Sequence, residues 1–170
     1  MLLTIFQANR LQPLNGNSSL NSVDAYWMAH ALNLALKAKE QGEIPVGAVL
    51  IGADNALLGE GWNQVLQAHD PSAHAEIVAL RSAANHVQNH RLLNATLYVT
   101  LEPCCMCAGA LVHARIKRLV FATRDIKAGA AGSIYNLLQG HPLNHSVQID
   151  EGHLQQECAA LLSDFFREKR

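Results

Sequence analysis

Charge is scarce in this chain, at 16% of its 170 residues, and nearly balanced, with 13 Lys and Arg against 14 Asp and Glu. A net charge of −1 gives no global basic signal for nucleic acid. No apolar run approaches the roughly 18 residues that a membrane-spanning helix needs, so no membrane span is expected. The opening Met1-Leu2-Leu3-Thr4-Ile5-Phe6 is too short for a signal core and has no basic region before it. A cytoplasmic protein is therefore expected. Cysteines number only four, and a C-x-x-C spacing in a reducing compartment favours metal over disulfides. No internal repeat is visible. What is present is apolar: 49% of the residues, which argues against disorder and suffices for one domain with a buried core.

The charge is unevenly distributed. Residues 1–90 hold 4 basic against 7 acidic residues, and residues 91–170 hold 9 against 7. A basic surface in the second half would draw on Arg115, Lys117, Arg118, Arg124, Lys127, Arg167, Lys169 and Arg170. The rival reading is an ordinary solvated surface.

Residues 1–21, rich in Asn, Ser, Gln and Leu without a period, read as a flexible leader. Residues 22–170 read as a single domain. A helix is expected from a Ser22 cap to Gly42, burying Val23, Tyr26, Trp27, Ala31, Leu34, Ala35 and Ala38. Strands are expected at 46–51, up to Trp62-Asn63 after a turn at Asp54-Asn55, and at 95–100 and 118–122, with a weak one at 146–149. Helices are expected at 74–84, 104–114 and 154–167. The last would bury Leu154, Cys158, Leu161, Leu162, Phe165 and Phe166. A hairpin followed by alternating helices and strands implies an α/β fold: a three-layer α/β/α architecture around a mixed sheet of about five strands, with helices on both faces.

The chemistry is concentrated in His74-Ala75-Glu76 and Pro103-Cys104-Cys105-Met106-Cys107. Cys104 and Cys107 lie within about 60° of each other on a helix. Both would sit in a first turn, where free N–H groups favour thiolate. Cys105 points about 100° away and reads as a small buried apolar residue, as does Cys158. His74 and Glu76 differ by about 200° around a helix, so they converge only across its N-terminal end. One histidine and two cysteines hold zinc on three sides. A structural zinc takes four protein ligands, so an open fourth side with a spare carboxylate indicates catalysis on water. Two thiolates neutralise the dication, and Glu76 would then act as proton acceptor and donor.

These motifs resemble the zinc-dependent cytidine deaminase superfamily, in which H-x-E and P-C-x-x-C form the signature. Further stretches resemble the bacterial tRNA adenosine deaminases within it: E-I-P-V-G-A-V-L at 43–50, G-W-N at 61–63, H-D-P-S-A-H-A-E at 69–76, L-Y-V-T-L-E-P-C-C-M-C-A-G-A at 97–110, R-D-I-K-A-G-A-A-G-S at 124–133 and E-C-A-A-L-L-S-D-F-F-R at 157–167. The resemblance runs from about residue 24 to 168. It implies a cytidine deaminase-like fold, one zinc ion per protomer on His74, Cys104 and Cys107, and Glu76 as catalytic proton shuttle. It implies a homodimer that converts adenosine to inosine at the wobble position of an arginine tRNA, working on the anticodon stem-loop with water activated at the zinc. Asn63 would hydrogen-bond the nucleoside, and Asp125 would touch a ribose 2′-OH beside it. Arg124, Lys127, Phe165, Phe166 and Arg167 are weaker candidates for RNA contact. Asn63 alone also fits an Asx turn at a strand end. The two phenylalanines also fit a core or dimer interface. Two departures stand out: Cys105, where an aliphatic residue is common, and the leader before Ser22. Two other functions compete, a deaminase of a free base or nucleoside and a non-catalytic RNA-binding module with a structural zinc.

Overall fold

The computed structural model describes residues 16–140 and 144–170, with side chains described from Ser22 onward. Residues 1–15 of the expected leader lie outside the described residues. Helix α1 (Gly16–Glu40) is followed by strands β1 (Gly47–Ile51) and β2 (Leu57–Trp62), a short helix α2 (Val65–Ala68), and helix α3 (Ala75–Val87). Then come β3 (Thr96–Leu101), α4 (Cys105–Ala114), β4 (Arg118–Thr123), β5 (Gln148–Glu151) and α5 (Gln155–Glu168). The first helix starts six residues before Ser22. Asn17 to Asn21 contains no proline or glycine to stop it.

The five strands form one sheet in the order β2-β1-β3-β4-β5. β1 is antiparallel to both neighbours, while β3, β4 and β5 run parallel. Alternation along the central strands explains why both faces are covered. Ala48, Leu50, Leu97, Val99, Leu119 and Phe121 enter one core with α3 and α4. Val49, Ile51, Tyr98, Val120 and Ala122 enter a second core with Trp27, Met28 and Ala31 of α1 and Cys158 of α5. This is the period of two expected of a strand buried on both sides. The three-layer fold follows, with five strands as expected. Among the described residues no helix is long and apolar enough to cross a membrane.

Two close approaches fix α3 on the sheet. A Cβ at Gly59 would meet the backbone of Ala79 and Ala83, and one at Gly61 the backbone of Ala75 and Ala79. No side chain therefore separates β2 from the helix that carries His74 and Glu76.

Several details differ from the periodicity. Tyr26 is 64% exposed, and Asp24 takes the inward place near it. Asp24 accepts hydrogen bonds from Tyr98 (2.8 Å) and from both terminal nitrogens of Arg118 (2.7 and 2.8 Å). Arg118 also donates to Asp150 at 2.6 Å. The guanidinium thus joins α1, β4 and β5 and does not serve a basic surface. Arg115 donates to the Asn144 carbonyl, and Arg167 pairs with Asp164 on its own helix. Phe166 is 48% exposed, against the expectation that α5 buries it, whereas Phe165 is buried.

Candidate active site

The two motifs meet where helices α3 and α4 begin. His74 is the N-cap of α3 and Cys104 the N-cap of α4, both with extended backbone and neither using its side chain as a cap. An N-cap side chain usually accepts from the first turn of its own helix. Here both turn toward each other instead. The Nδ1 of His74 lies 3.6 Å from Cys104 Sγ and 3.6 Å from Cys107 Sγ. All three ligand atoms lie within 4.8 Å of one another.

These distances can be tested against the ion. A tetrahedral zinc with Zn–S of about 2.3 Å and Zn–N of about 2.0–2.1 Å separates sulfur from nitrogen by about 3.6 Å. Donor type and spacing both fit zinc. The thiols fit as well. The Cys107 hydrogen bond to Cys104, helped by the nearby His74, holds the Cys104 thiol down at about 3. That same hydrogen bond, together with burial, pushes Cys107 up. The hydrogen bond to Cys104 raises His74. Two thiols sharing one proton form a site that a dication completes, since metal ligands bind as thiolates.

Glu76 stands apart from the ligand set. It is 4% exposed and lines the same cavity as His74 and Cys104. Burial pushes its carboxyl up to about 7, so it can both take and release a proton near neutrality. The turn before His74 is rigid. Asp70 accepts from the Ser72 N–H (2.8 Å) and hydroxyl (2.6 Å), and Arg81 of α3 donates to both residues.

The cavity measures 530 Å³, and its wall includes Asn63, Arg124, Asp125, Lys127 and Phe166. Phe165 and Arg167 do not line it: Phe165 points into the protein and Arg167 lies on the outer face of α5. Arg124 donates to Glu151 at 2.6 Å. Asn63 is 6% exposed, and its amide nitrogen donates to Glu43 at 3.1 Å. Among the described residues its carbonyl oxygen has no hydrogen-bond partner, yet no buried polar side-chain atom is left unsatisfied, so that oxygen reaches the cavity. Asp125 Oδ1 accepts from the N–H groups of Lys127 (2.9 Å) and Ala128 (3.1 Å), which fixes the side chain and leaves Oδ2 for another donor.

Two functional supports escaped the sequence reading. Glu43, 1% exposed, accepts from Asn63 and from the N–H groups of Leu66 and Gln67, and so starts α2. Glu102, 2% exposed, accepts from the loop that carries Asp125. The available signal was an acid set among strand-forming apolar residues, where burial demands dedicated donors. Cys105 departs from expectation: it is exposed. It follows Cys104 by about 100° on α4, and that turn carries it to the outer face beside Met106, 39% exposed.

A His/Cys/Cys cluster with an open side, a buried carboxylate beside it and a concave wall of polar groups defines a zinc-dependent hydrolase of the deaminase type. Residues 21–123 match the cytidine and deoxycytidylate deaminase zinc-binding region. The chain is 53% identical over 147 residues to a tRNA-specific adenosine deaminase of Haemophilus influenzae, covering 86% of this chain and 85% of the relative. It is 45% identical to the tRNA-specific adenosine deaminase of Buchnera aphidicola subsp. Schizaphis graminum, covering 86% and 96%. A solved structure from work on A-to-I editing by tRNA:A34 deaminases at the wobble position of transfer RNA matches with a TM-score of 0.78 at 38% identity, over 81% of this chain and 99% of that one. The chain belongs to the family of bacterial tRNA-specific adenosine deaminases, within the zinc-binding cytidine deaminase fold.

Proposed function

We propose that this protein deaminates adenosine to inosine at the wobble position of a tRNA anticodon, an arginine tRNA foremost, in the cytoplasm. The observation that carries the reading is the buried Glu76 beside the His74, Cys104 and Cys107 cluster, in a cavity walled by Asn63, Asp125 and Phe166. Zinc, one per protomer, would be held by those three ligands and would supply Lewis-acid activation of water.

The remaining work falls to side chains. Deamination adds water at C6 of the purine and releases ammonia, the established chemistry of the zinc deaminases. Glu76 accepts one proton from the attacking water and passes it to the ring nitrogen beside C6, then accepts the second from the new C6 hydroxyl and passes it to the amine, which leaves as ammonia. The Asn63 carbonyl oxygen, fixed by the pairing of its nitrogen with Glu43, orients the nucleoside. Asp125 Oδ2 accepts from a ribose 2′-OH. The exposed ring of Phe166 offers a stacking face to an unstacked base of the loop. Phe165 is read as core support for that ring, which meets it edge-on. Lys127 supplies positive charge at the rim. The outer face of α4, with Cys105 and Met106, is the surface on which a second copy would form the homodimer.

The test is incubation of the zinc-loaded protein with an arginine tRNA anticodon stem-loop, a stem-loop of another anticodon, free adenosine, cytidine and guanine. Inosine should form only at the wobble position and much faster in the arginine stem-loop. Faster deamination of a free base or nucleoside than of either stem-loop would overturn the RNA reading.

A further inference from the structure

We propose that Glu102 is a positioning residue for RNA recognition, holding the 124–133 loop in register with the segment that carries Cys104. Its Oε2 accepts the Asp125 N–H at 3.0 Å and the Ser133 hydroxyl. Its Oε1 accepts the N–H groups of Ala131 and Ser133, both at 3.0 Å. One buried carboxylate thus gathers both ends of a nine-residue arc, from Asp125 to Ser133. The arc leaves no room to spare: a Cβ at Gly129 would collide with the Glu102 carboxyl group. The adjacent backbone completes the clamp. The Ala130 N–H donates to the Pro103 carbonyl at 2.8 Å, and Cys104 forms an isolated bridge with Gly129.

Glu102 reaches the wall of the same cavity beneath Asp125 but is not one of the three metal-ligating residues, and it precedes Cys104 by two residues. Its effect passes through the loop. A loop is ordinarily the most mobile part of a fold. Here Asp125 must meet a sugar at a fixed distance from the base being deaminated, and a few misplaced tenths of an ångström weaken such a contact. The carboxylate removes that freedom by satisfying three loop amides at once. This inference rests on the proposed contact of Asp125 with the ribose, and its test separates the two.

Glu102→Gln is the informative variant. Its carbonyl oxygen can keep Ala131 and Ser133, while its NH₂ group faces the Asp125 N–H, donor against donor. Zinc-loaded variant and wild type are compared on an all-ribose anticodon stem-loop and on the same stem-loop with a 2′-deoxy sugar beside the target. KM for the ribose stem-loop should rise about tenfold or more, with kcat within about threefold, as for loss of one hydrogen bond to a charged acceptor. Zinc content should stay at the wild-type value, and amide exchange should speed up at residues 125–133 but not in α3. The deoxy penalty should shrink, and adding Asp125→Asn should cost far less than in wild type. Should Glu102→Gln fail to fold, Ser133→Ala removes one bond to the same carboxylate and should raise KM in the same direction by about threefold. An unchanged KM in either folded variant overturns the proposal, as does a fall in kcat with loss of zinc. If Asp125→Asn leaves the ribose-to-deoxy ratio unchanged while Glu102→Gln still raises KM, the ribose contact fails and the loop-positioning role stands.

Discussion

Replacing Glu76 by glutamine separates proton transfer from metal binding and from the fold. Glu76 is 4% exposed and lies outside the three converging ligands. Glutamine keeps its size, so the start of α3 stays packed. It also removes a carboxyl that burial holds at about 7, so no favourable charge is lost from the interior. Zinc content, melting temperature and stem-loop affinity should all match wild type. Turnover should not. A general acid–base group contributes about 10²–10⁴-fold, and this one carboxylate serves in both directions of the proton's path. The loss should lie at or above 10⁴-fold, a barrier increase of about 5.5 kcal/mol at 1.36 kcal/mol per decade. The assay is single-turnover inosine formation with enzyme in excess, zinc and melting temperature being read on the same preparation. Activity within about tenfold of wild type with zinc intact would refute the shuttle, because a group needed twice per turnover cannot be that dispensable. Loss of zinc would place Glu76 among the ligands instead.

Glu43→Gln should turn an NH₂ group onto Asn63 and force its amide to reverse, presenting a donor to the cavity where the carbonyl oxygen now lies. Activity should fall about tenfold or more with the melting temperature little changed, and the Glu43→Gln, Asn63→Asp double variant should recover part of it; no recovery would break the link. Cys105→Ser should leave zinc content at the wild-type value, because that thiol lies outside the ligand set, whereas Cys107→Ala should lose zinc. Asp24→Asn leaves Arg118 with only Asp150 and should cost about 3 kcal/mol, the lower end for a broken buried pair, read as a melting shift at neutral pH. Burial works to raise the Asp24 carboxyl, but the hydrogen bonds from Arg118 and Tyr98 win and hold it below its ordinary 3.8. Its folded value being the lower one, the stabilisation is full above 3.8 and fades as pH falls through the folded value, so the gap between wild type and Asp24→Asn should close in acid. Removing residues 1–15 of the expected leader, which leaves α1 (Gly16–Glu40) whole, should preserve deamination; a large loss of activity would assign them a role in the domain.

The catalytic end was legible because its chemistry restricts both residue type and spacing. Zinc needs soft and imidazole ligands in a tetrahedral set, and Cys104 and Cys107 one turn apart supply two of them only at a helix start. Strand burial was legible because an alternating face can be counted along Leu97, Tyr98 and Val99. Side-chain direction at helix surfaces was not. Phe165 and Phe166 differ by one position, and only the docking of α5 against β4 decides which is buried. Cys105 was misplaced for the same reason: composition says that cysteine is apolar, while the orientation of α4 says which apolar residues stay outside. Glu43 and Glu102 were hidden more deeply, since each is defined by backbone amides that lie between 23 and 31 residues away in the chain.

Chemistry and recognition in this site rest on different supports, and that explains why one motif is compatible with several substrates. The ligands stand on helix starts locked to a buried sheet: Gly59 and Gly61 bring α3 into backbone contact with β2, and Cys107 is wholly enclosed. Moving any of them means moving a helix through close-packed backbone, which a well-filled interior resists. Asp125 and Phe166 stand instead on a loop and on the open face of the last helix. A few substitutions can re-aim both without disturbing the zinc cluster. H-x-E with P-C-x-x-C therefore identifies the reaction and leaves the substrate open. On the proposed reading, the substrate is set by whether an acceptor lies at the distance of a neighbouring sugar, and the group that would supply it, Asp125, is held by the Lys127 N–H and by the buried Glu102 beneath it.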